Sequence, residues 1–258
     1  MTSPASSKRR VFTRVLAIAL LAGTASVGFT GISAARADDA PPTYISECRA
    51  RSAYALQHKQ FEVANGQLTP CQTRRKALVN ENQAVNGGFA LIHLGAEENV
   101  TAAGPNSADA FSDIASASIV LPTLGISIQA TELYSNAHSD ITGCGPANVS
   151  GISRIGTLIV NGQKYTEGGK GPGHINLPND LGKVYVNYRQ QTGNEIIRRT
   201  IWVNLPGHGL DIVIGESRAG IACNASDLGP LPAPPSGDPT PPSNPLPIAL
   251  PDLPVALP

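Results

Sequence analysis

The most chemically suggestive residues lie near the end of the last predicted strand. Gly215-Glu216-Ser217-Arg218-Ala219 differs from the G-x-S-x-G motif of serine hydrolases only in its final residue. His208 and Asp211 could then act as a base and as the group that orients it. That motif requires a sharp turn from strand to helix beneath the serine, whereas here the strand pattern continues to Cys223. A secreted hydrolase is therefore the least favoured reading, and we predict no catalytic residue and no enzyme.

The other candidate motifs predict neither a metal nor a cofactor. The five histidines show no H-E-x-x-H pattern, and the four cysteines show no C-x-x-C or C-x-x-H spacing. Gly168-Gly169-Lys170-Gly171 resembles a phosphate loop, but no serine or threonine follows the lysine. Asp109 with Asp113, and Glu97 with Glu98, lack the D-x-D-x-D-G pattern of calcium loops. We expect no cofactor and no metal site.

The four cysteines predict disulfides, because an even number in an exported chain favours oxidation. Of the three possible pairings we favour Cys48–Cys71 and Cys144–Cys223. The second bond would join a Gly/Pro-rich turn to the last strand across a separation of 79 residues (223 − 144). In the chain-entropy description a loop of that size contributes about 4 kcal/mol at most.

The segment from Gly209 to Cys223 predicts a strand with a change of phase. Before Gly215 the apolar residues have even numbers, and after it the small and apolar residues have odd numbers: Leu210, Ile212 and Ile214, then Ser217, Ala219, Ile221 and Cys223. Such a slip with a glycine at its centre is typical of a β-bulge. We therefore predict a bulge at Gly215.

The region 81–227 reads as β-structure almost throughout. Candidate strands are Phe89–Leu94, Phe111–Leu121, Leu124–Tyr134, Val149–Ile152, Gly156–Val160, Lys183–Arg189, Ile196–Leu205 and Leu210–Cys223. Asn161-Gly162 predicts a two-residue hairpin turn, because both positions of a type I′ turn need positive φ. Strands at spacings of roughly ten residues without intervening helices indicate an all-β antiparallel sandwich, Ig-like or jelly-roll-like.

Residues 1–37 predict an export signal with cleavage between Ala37 and Asp38. A basic segment, Lys8 to Arg14, precedes a diluted apolar run and an Ala-x-Ala site. Arg9-Arg10-Val11-Phe12 resembles the twin-arginine pattern, and an ordinary secretory signal is the alternative. Without the five basic residues before Ala37 the chain keeps 14 basic and 19 acidic residues, a net charge of −5. We expect no nucleic-acid partner and no transmembrane segment in the mature chain.

Two further segments flank the sandwich. Residues 38–80 predict an N-terminal extension holding Cys48 and Cys71, with a short helix over Tyr44–Gln60. Residues 228–258 are more than one-third proline, which predicts an extended, disordered tail. Such tails can serve as spacers or thread cell-wall polymer, so a wall polymer or envelope protein is a candidate partner.

Six short sequence segments, taken in chain order, also resemble a known protein family. They are Gly156–Gln163, His174–Pro178, Gly182–Tyr188, Thr200–Leu205, Asp211–Gly215 and Ala219–Ile221. Together they resemble the choice-of-anchor P family of exported actinobacterial proteins. The resemblance spans roughly 87–223 and implies a secreted or surface β-domain of unassigned biochemical role. The tail lacks the LPxTG signal of wall-attached members.

These features predict an exported, non-catalytic β-domain, secreted or held at the cell surface. A glycan-binding or cell-wall-binding module is the alternative, because such modules present aromatic rings to sugars. Tyr185, Tyr188 and Trp202 are the candidate ligand-facing aromatics, and we expect Tyr185 and Trp202 on opposite sheet faces.

Overall fold

The structure is a computed structural model that describes residues 42–55, 62–66, 68–165, 172–224 and 227–228. The predicted signal peptide with its Ala37/Asp38 cleavage site lies outside the described residues. The glycine loop 168–171 and the proline-rich tail beyond residue 228 lie outside them too. Within the described residues no helix is long and apolar enough to cross a bilayer.

Strands dominate the described chain and form two antiparallel sheets. Sheet A has the order β12-β13-β14-β15-β1-β2, and sheet B has the order β11-β10-β8-β7-β5-β4, with β6 on β7, β3 on β6 and β9 on β8. The strands are β1 Ile45–Ala55, β2 Glu62–Asn65, β3 Arg74–Leu78, β4 Glu81–Val85, β5 Ala90–Leu94, β6 Glu97–Ala103, β7 Ser107–Leu121, β8 Ile126–Asp140, β9 Asn148–Arg154, β10 Thr157–Val160, β11 Gln163–Tyr165, β12 Gly173–Asn176, β13 Lys183–Thr192, β14 Glu195–Leu205 and β15 Leu210–Ala222. Side chains from both sheets share one buried core, so the all-β sandwich is confirmed.

The eight predicted strands are all present, five of them longer than predicted and three shorter by one residue. The hairpin at Asn161-Gly162 is confirmed: β10 pairs with β11 across it, and the two turn residues have φ of 50° and 80°. Short 3₁₀ turns connect other strands, such as Pro206–His208 before β15.

The helix predicted over Tyr44–Gln60 is wrong, because Ile45–Ala55 forms β1. This strand lies between β15 and β2 and pairs with β15 from Ile45 to Ala55. Cys48, Ala50, Ala53 and Ala55 face the core, so the burial follows a strand period that the helical reading missed. The described part of residues 38–80 therefore contributes β1, β2 and β3 to the two sheets.

The phase change predicted at Gly215 is confirmed, with a different cause. Gly215 has a left-handed φ of 64°, and the core-facing positions shift from Leu210, Ile212 and Ile214 to Ala219. The partner strands keep their register: β1 pairs Ala53 with Ile214 and Arg51 with Glu216, and β14 is likewise in step. No extra residue is inserted into β15, so the predicted bulge is wrong at this site.

The pairing register of β15 with β1 and β14 is unchanged because these neighbouring strands change phase at the same level. Core-facing residues switch parity between Ala50 and Ala53 in β1 and between Ile196 and Ile201 in β14. In sheet B the same switch accompanies Glu132 of β8, which has a φ of 55°. We call this level, marked by Ser52, Glu132, Thr200 and Gly215, the seam. There β7 also changes partner, from β6 at Ile114 to β5 at Ala117.

Near the seam the core divides into two clusters, called halves here, and Ile114 and Leu133, just beyond the seam in sheet B, belong to the aliphatic one. The aliphatic half contains large side chains from both sheets, among them Ile114, Ile128, Leu133, Ile201 and Ile214. The alanine half contains small residues packed around one isoleucine: Ala50, Ala108, Ala110, Ala137, Ala219 and Ile196.

Both predicted disulfides are confirmed and belong to the alanine half. Cys48–Cys71 is part of its core cluster and ties β1 to the chain before β3. Cys144–Cys223 ties the turn after β8 to the end of β15. Two disulfides indicate an oxidising, extracytoplasmic environment.

Candidate functional site

The residues of the hydrolase reading are dispersed over the domain. Ser217 is buried between the sheets, and its Oγ lies 2.7 Å from Ser135 Oγ of sheet B. Asp211 points to the opposite face of β15, where it accepts hydrogen bonds from Trp202 Nε1 at 3.1 Å and Asn204 Nδ2 at 2.6 Å. His208 lies in the turn before β15 with its ring 5.2 Å from Phe89. No sharp strand-to-helix turn underlies Ser217, because β15 runs on to Ala222.

The aromatic residues proposed for sugar stacking lie on one face of sheet A, which corrects the expected opposite-face placement of Tyr185 and Trp202. These two residues are directly opposite each other in the antiparallel ladder, and such partners share a face. Their ring centroids are 4.9 Å apart, and Tyr188 meets Trp202 edge-on at 5.1 Å. Trp202 is 0% exposed and Tyr185 3% exposed, so these rings pack within the protein.

A buried ionic cluster lies beside these rings on the face of sheet A that points away from sheet B. Arg199 Nε donates to Glu216 Oε2 at 2.7 Å, and Arg51 Nε lies 3.8 Å from the other carboxylate oxygen. The Tyr54 hydroxyl donates to the same carboxylate. The Arg199 and Glu216 side chains are only 3% and 5% exposed. The four side chains connect the adjacent strands β14, β15 and β1.

Electrostatics explain why this cluster is ionised although it is buried. Burial by itself would raise the pKa of Glu216, but Arg199, Arg51 and the Tyr54 hydrogen bond outweigh it and lower that pKa. Burial raises the pKa of Tyr54 far above its ordinary value, so the phenol stays protonated and donates. Since the carboxylate accepts hydrogen bonds from Arg199 and Tyr54 and lies beside the Arg51 guanidinium, the cluster ties three neighbouring strands together.

A second ion group lies further along the same face, in the alanine half. Arg218 bridges Glu47 of β1, at 3.1 Å, and Glu195 of β14, with which it is in close contact. Burial raises the pKa of Glu195 to about 7, although Arg218 opposes this shift. Alternation along β15 places Glu216 and Arg218 on one face, as the sequence pattern predicted. It gave no sign that the two residues are buried.

A shallow groove crosses the exposed face of sheet B over β4, β5 and β7. Its volume is about 330 Å³, and its lining combines amide, hydroxyl and imidazole groups with aliphatic surface: Asn82, Gln83, Ala84, Leu91, Ile92, His93, Ser118 and Val120. His93 Nδ1 lies 2.7 Å from Asn82 Oδ1, which orients both side chains. Leu91 is 44% exposed. Cross-strand pairing places an apolar row, Ala84, Leu91 and Val120, beside a polar row, Asn82, His93 and Ser118.

An exposed histidine group lies on the same sheet near the alanine half. His138 Nδ1 is 2.6 Å from Asp109 Oδ1, and His138 Nε2 is 3.0 Å from Asp140 Oδ1. Partial burial lowers the pKa of His138, but the two carboxylates outweigh this effect and raise it. Both ring nitrogens can donate only in the protonated ring, so this arrangement favours the imidazolium.

The described residues contain no group of three or more histidine, cysteine, aspartate or glutamate side chains placed to hold a metal ion. Comparison with models of known protein families, with curated proteins and with solved structures found no match in any of the three searches. The resemblance to the choice-of-anchor P family therefore stays a prediction from the sequence.

Proposed function

We propose that this protein is an exported, non-catalytic β-domain that works in or near the cell envelope, as the resemblance to the choice-of-anchor P family implies. Two disulfides in one small sandwich support the proposal most directly, because disulfides are rare in a reducing cytoplasm. The dispersal of Ser217, His208 and Asp211 speaks against the hydrolase alternative.

Fractionation of the native host tests this proposal. The mature chain should be found in the envelope or medium fraction, and its cysteines should resist alkylation until a reductant is added. Mass spectrometry should place the mature N-terminus at Asp38. Recovery of the chain in the cytoplasm with reactive thiols would contradict the proposal.

A glycan-binding or cell-wall-binding module is the second candidate, and the groove on sheet B is the observation that favours it. Its amide, hydroxyl and imidazole groups can hydrogen-bond sugar hydroxyls, while Leu91 offers apolar contact. Tyr185 and Trp202 are buried in this structure, so the groove and not these rings is the candidate sugar site.

A sedimentation assay with purified wall polysaccharide tests the second candidate. Leu91→Glu should abolish retention on the polymer, because it places a charge in the apolar row between Ala84 and Val120. Ile152→Glu is the matched control, since Ile152 is a 52% exposed side chain on β9 outside the groove. Equal retention of the two variants, or none of the unaltered protein, would exclude the groove as a glycan site.

A further inference from the structure

The outward face of sheet A carries large side chains that are almost completely buried. Trp202 and Val213 are 0% exposed, and Tyr185 and Tyr54 are 3% and 4% exposed. All the described strands belong to sheet A or sheet B, and sheet B packs on the other face. The outward face of a two-layer sandwich ordinarily meets water. We call this group of four residues the outer aromatic face.

Neighbours within sheet A account for only part of that burial. Tyr188 meets the indole edge-on, and the Arg199 guanidinium lies 5.2 Å from its centroid. Both groups belong to sheet A itself, Tyr188 on β13 and Arg199 on β14. Complete exclusion of water from the largest side chain on the face requires a further layer above it.

The chain leaves the sandwich on this same face. Leu228 is buried and forms an isolated bridge with Gly193 at the β13–β14 turn. Its Cδ2 lies only 3.2 Å from the position that a Cβ on Gly220 would occupy. Gly220 is paired with Glu195, whose carboxylate contacts Arg218 on the outward face. Residues 229–258 therefore start at the edge of the outward face of sheet A.

The sequence of this tail has the chemistry to bind aromatic rings. It contains two hexapeptides that differ only at their third residue, Leu246-Pro-Ile-Ala-Leu-Pro251 and Leu253-Pro-Val-Ala-Leu-Pro258, separated by Asp252. Proline-rich segments with apolar side chains bind to aromatic-lined surfaces as preformed polyproline helices. Both hexapeptides combine proline with bulky aliphatic residues, which suits a surface formed by an indole and two phenols.

The tail is also long enough to reach that surface. Glu195 and Trp202 are seven residues apart on β14, which corresponds to about 24 Å along a strand. Residues 229–245 can span about 50 Å in polyproline conformation before the first hexapeptide begins. The connection is therefore geometrically feasible within one molecule.

We propose that the hexapeptides of the tail bind in cis on the outer aromatic face and form the layer that covers it. The tail then folds back on its own domain, and a partner that recognises either the tail or the aromatic face must displace the other. This inference does not depend on the cellular location of the protein.

Trp202 is the single tryptophan of the chain, so its fluorescence reports on this face directly. The test uses the oxidised chain from residue 38 to residue 258. One variant replaces the six bulky aliphatic residues of the hexapeptides by serine: Leu246, Ile248, Leu250, Leu253, Val255 and Leu257. The matched control replaces polar tail residues instead: Ser236→Ala, Thr240→Ala and Ser243→Ala.

We expect the serine variant to show a red-shifted emission and a severalfold higher acrylamide quenching constant, with no change in the control. A synthetic peptide of residues 245–258, added to the serine variant, should restore the shielding. For the unaltered chain, shielding that does not depend on protein concentration supports binding in cis, and shielding lost on dilution overturns it in favour of a second copy.

Unchanged quenching in the serine variant overturns the proposal. Proteolytic release of the tail from the already folded protein, through a cleavage site inserted after Gly237, gives a second measurement that does not depend on how the variant folds. Quenching that stays constant after this cleavage equally contradicts the proposal.

Discussion

The two halves of the sandwich are stabilised by different means. The aliphatic half is filled by large side chains, whereas the alanine half offers mostly methyl groups. Hydrophobic stabilisation scales with the apolar area removed from water, so an alanine contributes much less than a leucine or isoleucine. The alanine half contains both disulfides and the buried group formed by Glu47, Glu195 and Arg218.

This difference shows how one sandwich can tolerate a weak hydrophobic core at one end. Small side chains leave less apolar area to bury, and cross-links that restrict the unfolded chain can offset the deficit. The seam joins the two halves, and the cluster around Glu216 ties three strands of sheet A at that level. Substitutions at these places should separate the contributions.

The largest loss is expected at the seam, where Arg199→Met leaves the Glu216 carboxylate buried without its main partner. Removing one member of a buried ion pair costs about 3–5 kcal/mol. Urea unfolding, followed by circular dichroism, measures the change. Arg75→Met is the matched control, because Arg75 pairs with Glu98 on β6 but is 70% exposed, and the loss should be below about 1 kcal/mol. Equal losses in the two variants would contradict a special role of the buried cluster.

The second effect concerns the alanine half alone. Cys144→Ala combined with Cys223→Ala should cost about 4 kcal/mol, since the bond spans 79 residues, and Cys48→Ala with Cys71→Ala about 3 kcal/mol, since that bond spans 23. Hydrogen exchange should show loss of protection at Ala110 and Ala137 before Ile119 and Ile128. Simultaneous loss in both halves would mean that the domain unfolds as a single unit.

A cavity in the aliphatic half gives the next largest effect. Leu133→Ala removes most of a fully buried side chain and should cost about 3 kcal/mol. Ala137→Gly, four residues further along the same strand in the alanine half, should cost about 1 kcal/mol. Chemical denaturation of both variants measures the difference. A larger loss of stability for Ala137→Gly would contradict the inference that the aliphatic half contributes more hydrophobic stabilisation than the alanine half.

Gly215→Ala tests the phase change at the seam. Its φ of 64° disfavours a side chain, and the new Cβ would lie 2.4 Å from Thr200 Oγ1. Strain and overlap together should cost about 2 kcal/mol. Gly125→Ala is the control, because its φ of 62° is nearly the same but nothing lies within 4 Å. The melting temperature of Gly215→Ala should fall further than that of the control, and equal shifts would show that only the backbone conformation matters.

The smallest effect is pH-dependent. Asp109 and Asp140 raise the pKa of His138, so the protonated imidazole is more stable in the folded protein than in the unfolded chain. The stabilisation is complete below the unfolded pKa of about 6.5 and disappears as the pH rises through the folded pKa. Denaturation midpoints of the unaltered protein and of His138→Gln should differ at about pH 5 and converge at about pH 9. A constant difference over this range would show that His138 acts without titrating.

Several properties followed from the sequence because they depend on neighbours along the chain. Alternation predicted eight of the fifteen strands in the described residues, and the broken alternation at Gly215 predicted the change of phase that β15 shows. The positive-φ turn at Asn161-Gly162 is likewise a local property of two residues. The favoured cysteine pairing, Cys48 with Cys71 and Cys144 with Cys223, is the one that the structure has, although the second bond joins residues 79 positions apart.

The properties that depend on residues far apart in sequence were decided by the tertiary structure alone. Ile45–Ala55 resembles a short helix in isolation, but it is a strand because β15 and β2 offer ladders on both of its edges. The same pairing brings Arg51 and Tyr54 to Glu216, across more than 160 residues, and makes a polar stretch of β15 a buried one. Burial and partnership are properties of the assembled sheet, and the local pattern of a strand specifies only which face a side chain occupies.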